Sequence, residues 1–131
     1  MFFERIGLRL TPRFSVEIGV GVRKEHDFDL GNEQQKILVE CKPHKWTEGG
    51  NVPSAKLINW TRAMYLFHVA PRSYRKIMFV LKDFSKKRNE TLAQYYLRIN
   101  AHLIPEDVEF WEFDGPTHSR KTAMKVVGDC I

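Results

Sequence analysis

Lys36-Ile37-Leu38-Val39-Glu40-Cys41-Lys42 is the stretch on which the reading of this chain turns, together with Asp29 upstream. Ile37, Leu38 and Val39 form a short aliphatic run with polar punctuation before it, from Gly31 to Gln35, and Pro43 after it. That pattern predicts a mostly buried strand. Side chains alternate across a strand, so Glu40 and Lys42 point one way and Cys41 points the other, toward the interior. A carboxylate and an ammonium at the end of an apolar strand are costly to bury unless they are paired, hydrated or bound to a metal. Asp29 lies on a preceding strand, Asp27-Phe28-Asp29-Leu30, one tight polar turn away. If the two strands pair as a hairpin, Asp29 comes beside Glu40. Two carboxylates and a lysine at a sheet end suit a hard divalent cation with an ammonium next to its bound water. A plainer reading of the same residues is a hairpin end carrying a solvated salt bridge.

Upstream, Phe14, Val16, Ile18, Val20 and Val22 alternate with Ser15, Glu17, Gly19 and Gly21, which predicts a strand over Phe14 to Val22 with one apolar face. Phe2, Phe3 and Ile6 predict a short helix over residues 2–9, stopped by Thr11-Pro12. Downstream, residues 43–53 form a loop rich in breakers that offers His44, Lys45, Trp46 and Asn51. Ser54 is the expected cap of a helix over Ala55 to Val69. Its apolar face holds Leu57, Trp60, Met64 and Phe67, and Lys56, Asn59 and Arg62 share a polar face. Lys76 to Leu81 predicts a strand covered on both faces, and the order strand, helix, strand implies parallel pairing beside residues 36–42. There follow a basic loop from Ser85 to Asn89 and a second helix from about Glu90 to Leu103. That helix has a buried stripe of Leu92, Tyr95, Tyr96, Ile99 and Leu103 and a capping box from Thr91 to Gln94. Val108 to Phe113 predicts a last strand. Residues 114–131 form a C-terminal tail whose weak pattern in Met124, Val126 and Val127 reads as a short helix or a segment for a partner. The expectation is a single α/β domain over residues 1–131: β-meander, helix, strand, helix, strand.

With Asp29, Glu40 and Lys42 on consecutive strands followed by a helix, the chain resembles the PD-(D/E)xK nuclease superfamily, the restriction-endonuclease-like fold. The motif of that superfamily is an Asp, a variable gap, then acid-x-Lys on the next strand. The stretch Ile37-Leu38-Val39-Glu40-Cys41-Lys42 is similar to the Ile-Glu-Cys-Lys strands of archaeal Holliday-junction resolvases and many endonuclease domains. Phe28 stands where the family usually has the Pro before its Asp. The resemblance spans about residues 1 to 113 and implies a mixed sheet with helices on its faces and metal-dependent hydrolysis of phosphodiester bonds in DNA. Asp29 and Glu40, with the Cys41 backbone carbonyl, would hold Mg2+, for which Mn2+ can substitute, and Lys42 would orient and help activate the attacking water. Family members often add a glutamate from the helix before the first strand. Glu4 is the candidate for that role, with Glu17 as the alternative. The superfamily also includes inactive members, so a nucleic-acid-binding or assembly module without turnover is the alternative function. A domain that handles nucleotides or a protein partner through the sheet alone would bind no divalent ion.

At 131 residues the chain has room for one real core, and its composition, 43% hydrophobic and 28% charged, is that of an ordinary soluble globular protein. No apolar run approaches the length needed to cross a membrane, and Met1 to Arg5 lack a signal-peptide layout, so a cytoplasmic location is expected. The first strand begins so early that the chain reads as a truncated piece or as one domain of a longer enzyme. Cys41 and Cys130 make no disulfide framework, and His26, His44, His68, His102 and His118 show no zinc-ligand spacing. A net charge of +5 favours an acidic partner such as DNA. Lys45, Trp46, Lys56, Asn59 and Arg62 are the candidates for contacting it. Trp46 either stacks on a base or covers the edge of the core. His44 lies close enough to the site to meet substrate, His68 reads as structural, and Lys86-Lys87-Arg88 reads as a solvated turn. No glycine-rich phosphate loop, nucleophile elbow or Cys-His pair supports a kinase, serine hydrolase or cysteine protease. A nuclease of this size acting on two strands is expected as a homodimer.

Overall fold

A computed structural model describes residues 7, 9–114 and 124–127, the last four as backbone. Glu4 and almost all of the predicted helix over residues 2–9 lie outside the described residues. The meander consists of β1 (Thr11–Ile18), β2 (Lys24–Asn32) and β3 (Ile37–Lys42). It is followed by α1 (Ser54–His68), β4 (Arg75–Leu81), a small hairpin of β5 (Phe84–Ser85) and β6 (Glu90–Thr91), α2 (Leu92–Ile99), β7 (Val108–Phe113) and β8 (Met124–Val127). The main sheet has six strands in the order β1-β2-β3-β4-β7-β8. Pairing is antiparallel within the meander, parallel from β3 through β4 to β7, and antiparallel again at β8. The architecture is a mixed α/β fold, and β4 runs parallel beside β3 as the strand, helix, strand order requires.

Both helices cover one face of this sheet. Leu57, Trp60, Met64 and Phe67 of α1 and Leu92, Ala93 and Tyr96 of α2 close over Leu38, Met78, Val80, Val108 and Phe110. Each fully buried side chain of this size contributes about 1.5–3 kcal/mol. The Thr61 hydroxyl and the Tyr96 phenol hydrogen-bond at 2.8 Å, and the Trp60 and Tyr96 rings meet edge to face, which fixes the two helices to each other. On the opposite face Ile37, Val39 and Ile77 are buried among Leu30, Cys41, Phe79 and Trp111. β4 is thus covered on both sides, as its continuous apolar run predicts.

Several boundaries differ from the sequence expectation. The first strand stops at Ile18, because Gly19 takes φ +138° and turns the chain, leaving Val20 and Val22 exposed instead of extending the apolar face. A side chain at Gly19 would collide with the Val22 carbonyl, so the turn requires glycine. Ser54 is the first residue of α1 rather than its cap; Pro53 holds the cap position, and its carbonyl accepts from the Lys56 and Leu57 N–H groups. The Ser85 to Asn89 loop is the tip of the β5–β6 hairpin, and Asn89 takes φ +58° to close it. α2 ends at Ile99, which leaves Ile99 and Leu103 exposed, although its capping box forms as expected. Residues 124–127 form an edge strand against β7 rather than a helix; the rest of the tail beyond Asp114 lies outside the described residues.

The irregularity that matters most is in β2. Phe28 packs in the core under α1, while Leu30 belongs to the cluster on the opposite face. Two residues apart on a regular strand should share a face, so the alternation breaks at Asp29. Across on β1, Arg13 has φ +52°, and the β1–β2 ladder skips the Arg13/Asp29 position between Pro12↔Leu30 and Phe14↔Phe28. Such local distortions re-aim side chains, and they recur next to functional sites.

Candidate active site

The β2–β3 ladder runs from Asn32↔Ile37 to Leu30↔Val39. Continued by one step, the register sets Asp29 opposite Glu40. There, the two carboxylates take over main-chain N–H groups from each other's strand. The Asp29 N–H donates to Glu40 Oε2 at 3.3 Å, and the Cys41 N–H donates to Asp29 Oδ2 at 2.8 Å. Lys42 Nζ lies 3.6 Å from Glu40 Oε1. The structure therefore brings Asp29, Glu40, Cys41 and Lys42 together at the C-terminal end of β3. It is the end of the parallel strands at which ligands bind in open α/β sheets.

Glu40 is the buried member, with 7% of its surface exposed. Burial first, and the neighbouring Asp29 charge second, push its carboxyl above the ordinary carboxylate range against the opposing pull of Lys42. The pKa of the half-buried Cys41 thiol is pushed up to about 12, chiefly by burial, which keeps it protonated at neutral pH.

Sequence reasoning missed His26. Its Nε2 is buried, has no hydrogen-bond partner among the described residues, and lies 3.9 Å from Glu40 Oε2. Its ring meets Phe28 edge-on, with centroids 4.7 Å apart. Burial, and then Arg62, lower its pKa, so at neutral pH the contact with Glu40 is not an ion pair. A buried polar atom left unpaired costs about 1–3 kcal/mol, which calls for an explanation. Strict alternation would put His26 on the face away from Asp29 and Glu40. The break at Asp29 moves His26 and Phe28 to the helix side, and no sequence signal marks that break.

The surrounding loops are pinned. Trp46 donates its main-chain N–H to Asp83 Oδ2 and its indole N–H to the Asp83 carbonyl, and its ring meets Tyr95 edge to face with the Arg88 guanidinium above it. Trp46 thus covers the edge of the core. Arg88 also donates to the Gly50 carbonyl and Lys87 to the Gly49 carbonyl. Lys86, Lys87 and Arg88 are exposed, as a solvated turn predicts, and Lys87 and Arg88 also clamp the loop after β3. His44 Nδ1 accepts from the Trp60 indole N–H at 3.0 Å, which leaves Nε2 as its protonated nitrogen when neutral. Burial first, then Lys42 and Lys56, hold its pKa below the usual value.

Lys45, Lys56, Asn59 and Arg62 are all exposed. Lys56 acts on His44 and Arg62 acts on His26, so the polar face of α1 flanks the site. Glu17 is not brought in. Its neighbours Val16 and Ile18 pack toward the helices, so Glu17 faces the other way and is exposed.

Carboxylate oxygens from Asp29 and Glu40 and the Cys41 carbonyl are the donor types a hard divalent cation takes. The mutual repulsion that raises Glu40 is what such an ion would relieve. Among the described residues, however, no three His, Cys, Asp or Glu side chains converge closely enough to hold an ion as they stand. Among them, too, no helix is long and apolar enough to cross a membrane. Searches of protein-family models, curated proteins and solved structures return no match to the chain.

Proposed function

We propose that this chain is a restriction-endonuclease-like domain that hydrolyses phosphodiester bonds in DNA with a divalent cation, Mg2+ or Mn2+. The observation that carries the reading is the meeting of Asp29, Glu40 and Lys42 at the C-terminal end of β3, with Glu40 buried and its charge opposed by Asp29. The element order of meander, helix, strand, helix, strand and the mixed sheet support the family resemblance.

In this reading Asp29, Glu40 and the Cys41 carbonyl would hold the ion, which would supply Lewis-acid polarisation of the scissile phosphate and a lowered pKa of bound water. Lys42 Nζ lies 3.6 Å from Glu40 Oε1, and its ammonium would orient the attacking water and offset the charge building on the phosphate. The exposed Lys56, Asn59 and Arg62 on α1, with Lys45 on the preceding loop, track the DNA backbone.

The test is cleavage of duplex, junction, flap and single-stranded DNA with Mg2+ or Mn2+. The wild type should cut at least one substrate and Asp29→Ala none. Tight DNA binding with no cleavage of any of them would favour a binding module built on the same site.

A further inference from the structure

Among the described residues neither expected glutamate supplies a third side-chain ligand to the proposed cation site: Glu17 faces away, and Glu4 lies outside them. We propose that His26 fills that place: its Nε2 binds the same ion as Asp29 and Glu40, making a mixed nitrogen and oxygen site that favours Mn2+ and later first-row ions over Mg2+. The inference rests on reading the Asp29 and Glu40 end as a cation site.

The separation of 3.9 Å between His26 Nε2 and Glu40 Oε2 is too long for a hydrogen bond. It does fit two atoms on one ion: with bonds of about 2.1 Å, ligand atoms stand roughly 3 Å apart at right angles and roughly 4.2 Å apart across the ion. The nitrogen is buried and has no hydrogen-bond partner among the described residues, and Phe28 packed edge-on sets its direction. Imidazole ligates through a nitrogen lone pair, in its neutral form. The Asp29 carboxylate accepts one main-chain hydrogen bond, through Oδ2 from Cys41. The three groups do not converge as they stand, so binding the ion has to draw them together. His26 and Asp29, three residues apart, can serve one site because the face alternation of β2 breaks between Phe28 and Leu30. Carboxylate, carbonyl and water ligands suit Mg2+, whereas an imidazole adds affinity along the series from Mn2+ toward Zn2+.

Isothermal titration of metal-free protein with Mn2+ and, separately, Mg2+ tests this on the wild type, His26→Ala and Asp29→Ala, with folding checked by circular dichroism. The expected result is that His26→Ala loses Mn2+ affinity by about tenfold or more and Mg2+ affinity by much less, while Asp29→Ala loses both. If His26→Ala does not fold, electron spin-echo spectra of Mn2+-loaded wild type decide. A directly coupled 14N should be seen, should change to 15N on histidine labelling, and should persist in His44→Gln. Unchanged Mn2+ affinity in a folded His26→Ala, or an echo without nitrogen coupling, overturns the role of His26 and leaves the cation site standing. A wild type that binds neither ion overturns both.

Discussion

Glu40 carries the tension of the site in a single residue. Its folded-state pKa is raised above the ordinary 4.5 by burial and by Asp29, so the folded state holds the proton more tightly than the unfolded chain does. The stability this contributes is fully present below pH 4.5 and is lost as pH rises through the folded value. In metal-free protein, Glu40→Gln should therefore raise the melting temperature at pH 7.5, by something on the order of 1–5 °C, and the advantage should shrink toward pH 4. Thermal melts in chelator across that range check it, and a Glu40→Gln protein less stable than wild type at pH 7.5 would mean that the Lys42 and Asp29 contacts outweigh the burial. Lys42 has a different task. On the proposed mechanism, Lys42→Ala should leave Mn2+ binding largely intact and cut the rate of DNA cleavage by about 100-fold to 10,000-fold in single-turnover assays, because it would remove the group that orients the water and not a ligand. At this scale the sequence is informative where spacing alone decides: Asp29, Glu40 and Lys42 meet as the hairpin register requires. His26 is not legible in it, because its position depends on a backbone distortion that no residue type announces.

Among the elements, α1 and the loop before it frame the site. Lys56, Asn59 and Arg62 form an exposed polar face beside His26 and His44, with Lys45 on the approach. Reversing the charge of Arg62 and Lys45 together should weaken binding to all DNA sequences about equally and reduce the salt slope by about 0.9 for each phosphate that the variant no longer neutralises. Fluorescence anisotropy over a salt series reads both, and a double variant that binds like the wild type would remove this face from the interface. α2 offers a test of local stability. The Thr91 hydroxyl accepts the Gln94 N–H at 3.1 Å, and the Gln94 carboxamide accepts the Thr91 N–H at 2.8 Å. Thr91→Ala should cost about 1 kcal/mol in urea denaturation, and a change below about 0.3 kcal/mol would show the cap to be idle. The capping box is readable because it is a local pattern. The clamp of Arg88 and Trp46 onto the loops is not, since it joins residues 37 or more positions apart, through the Asp83 carboxylate and through main-chain carbonyls that any residue could offer. Periodicity alone carries the first strand too far, because alternation continues through Val20 and Val22 while the glycine between Ile18 and Val20 turns the chain.

For the molecule as a whole, the sheet gathers the proposed functional groups at one end. β3, β4 and β7 run parallel, and the loop after β3 and the β5–β6 hairpin after β4 meet above their C-terminal ends. Both helices are spent covering one face, so the site is built from strand ends and pinned loops rather than from a deep cleft between layers. This order of elements is legible from periodicity because each long segment is strongly patterned. If the Asp29 and Glu40 end holds a divalent cation, as proposed, the melting temperature must depend on Mg2+ or Mn2+. An ion that binds only the folded state at 100 times its dissociation constant adds about 2.7 kcal/mol. The wild type should melt several degrees higher with either ion than in chelator, and Asp29→Ala should show no such response. A wild type that melts at the same temperature with and without the ions, or an Asp29→Ala protein that responds like the wild type, would reduce Asp29, Glu40 and Lys42 to a salt bridge at a hairpin end.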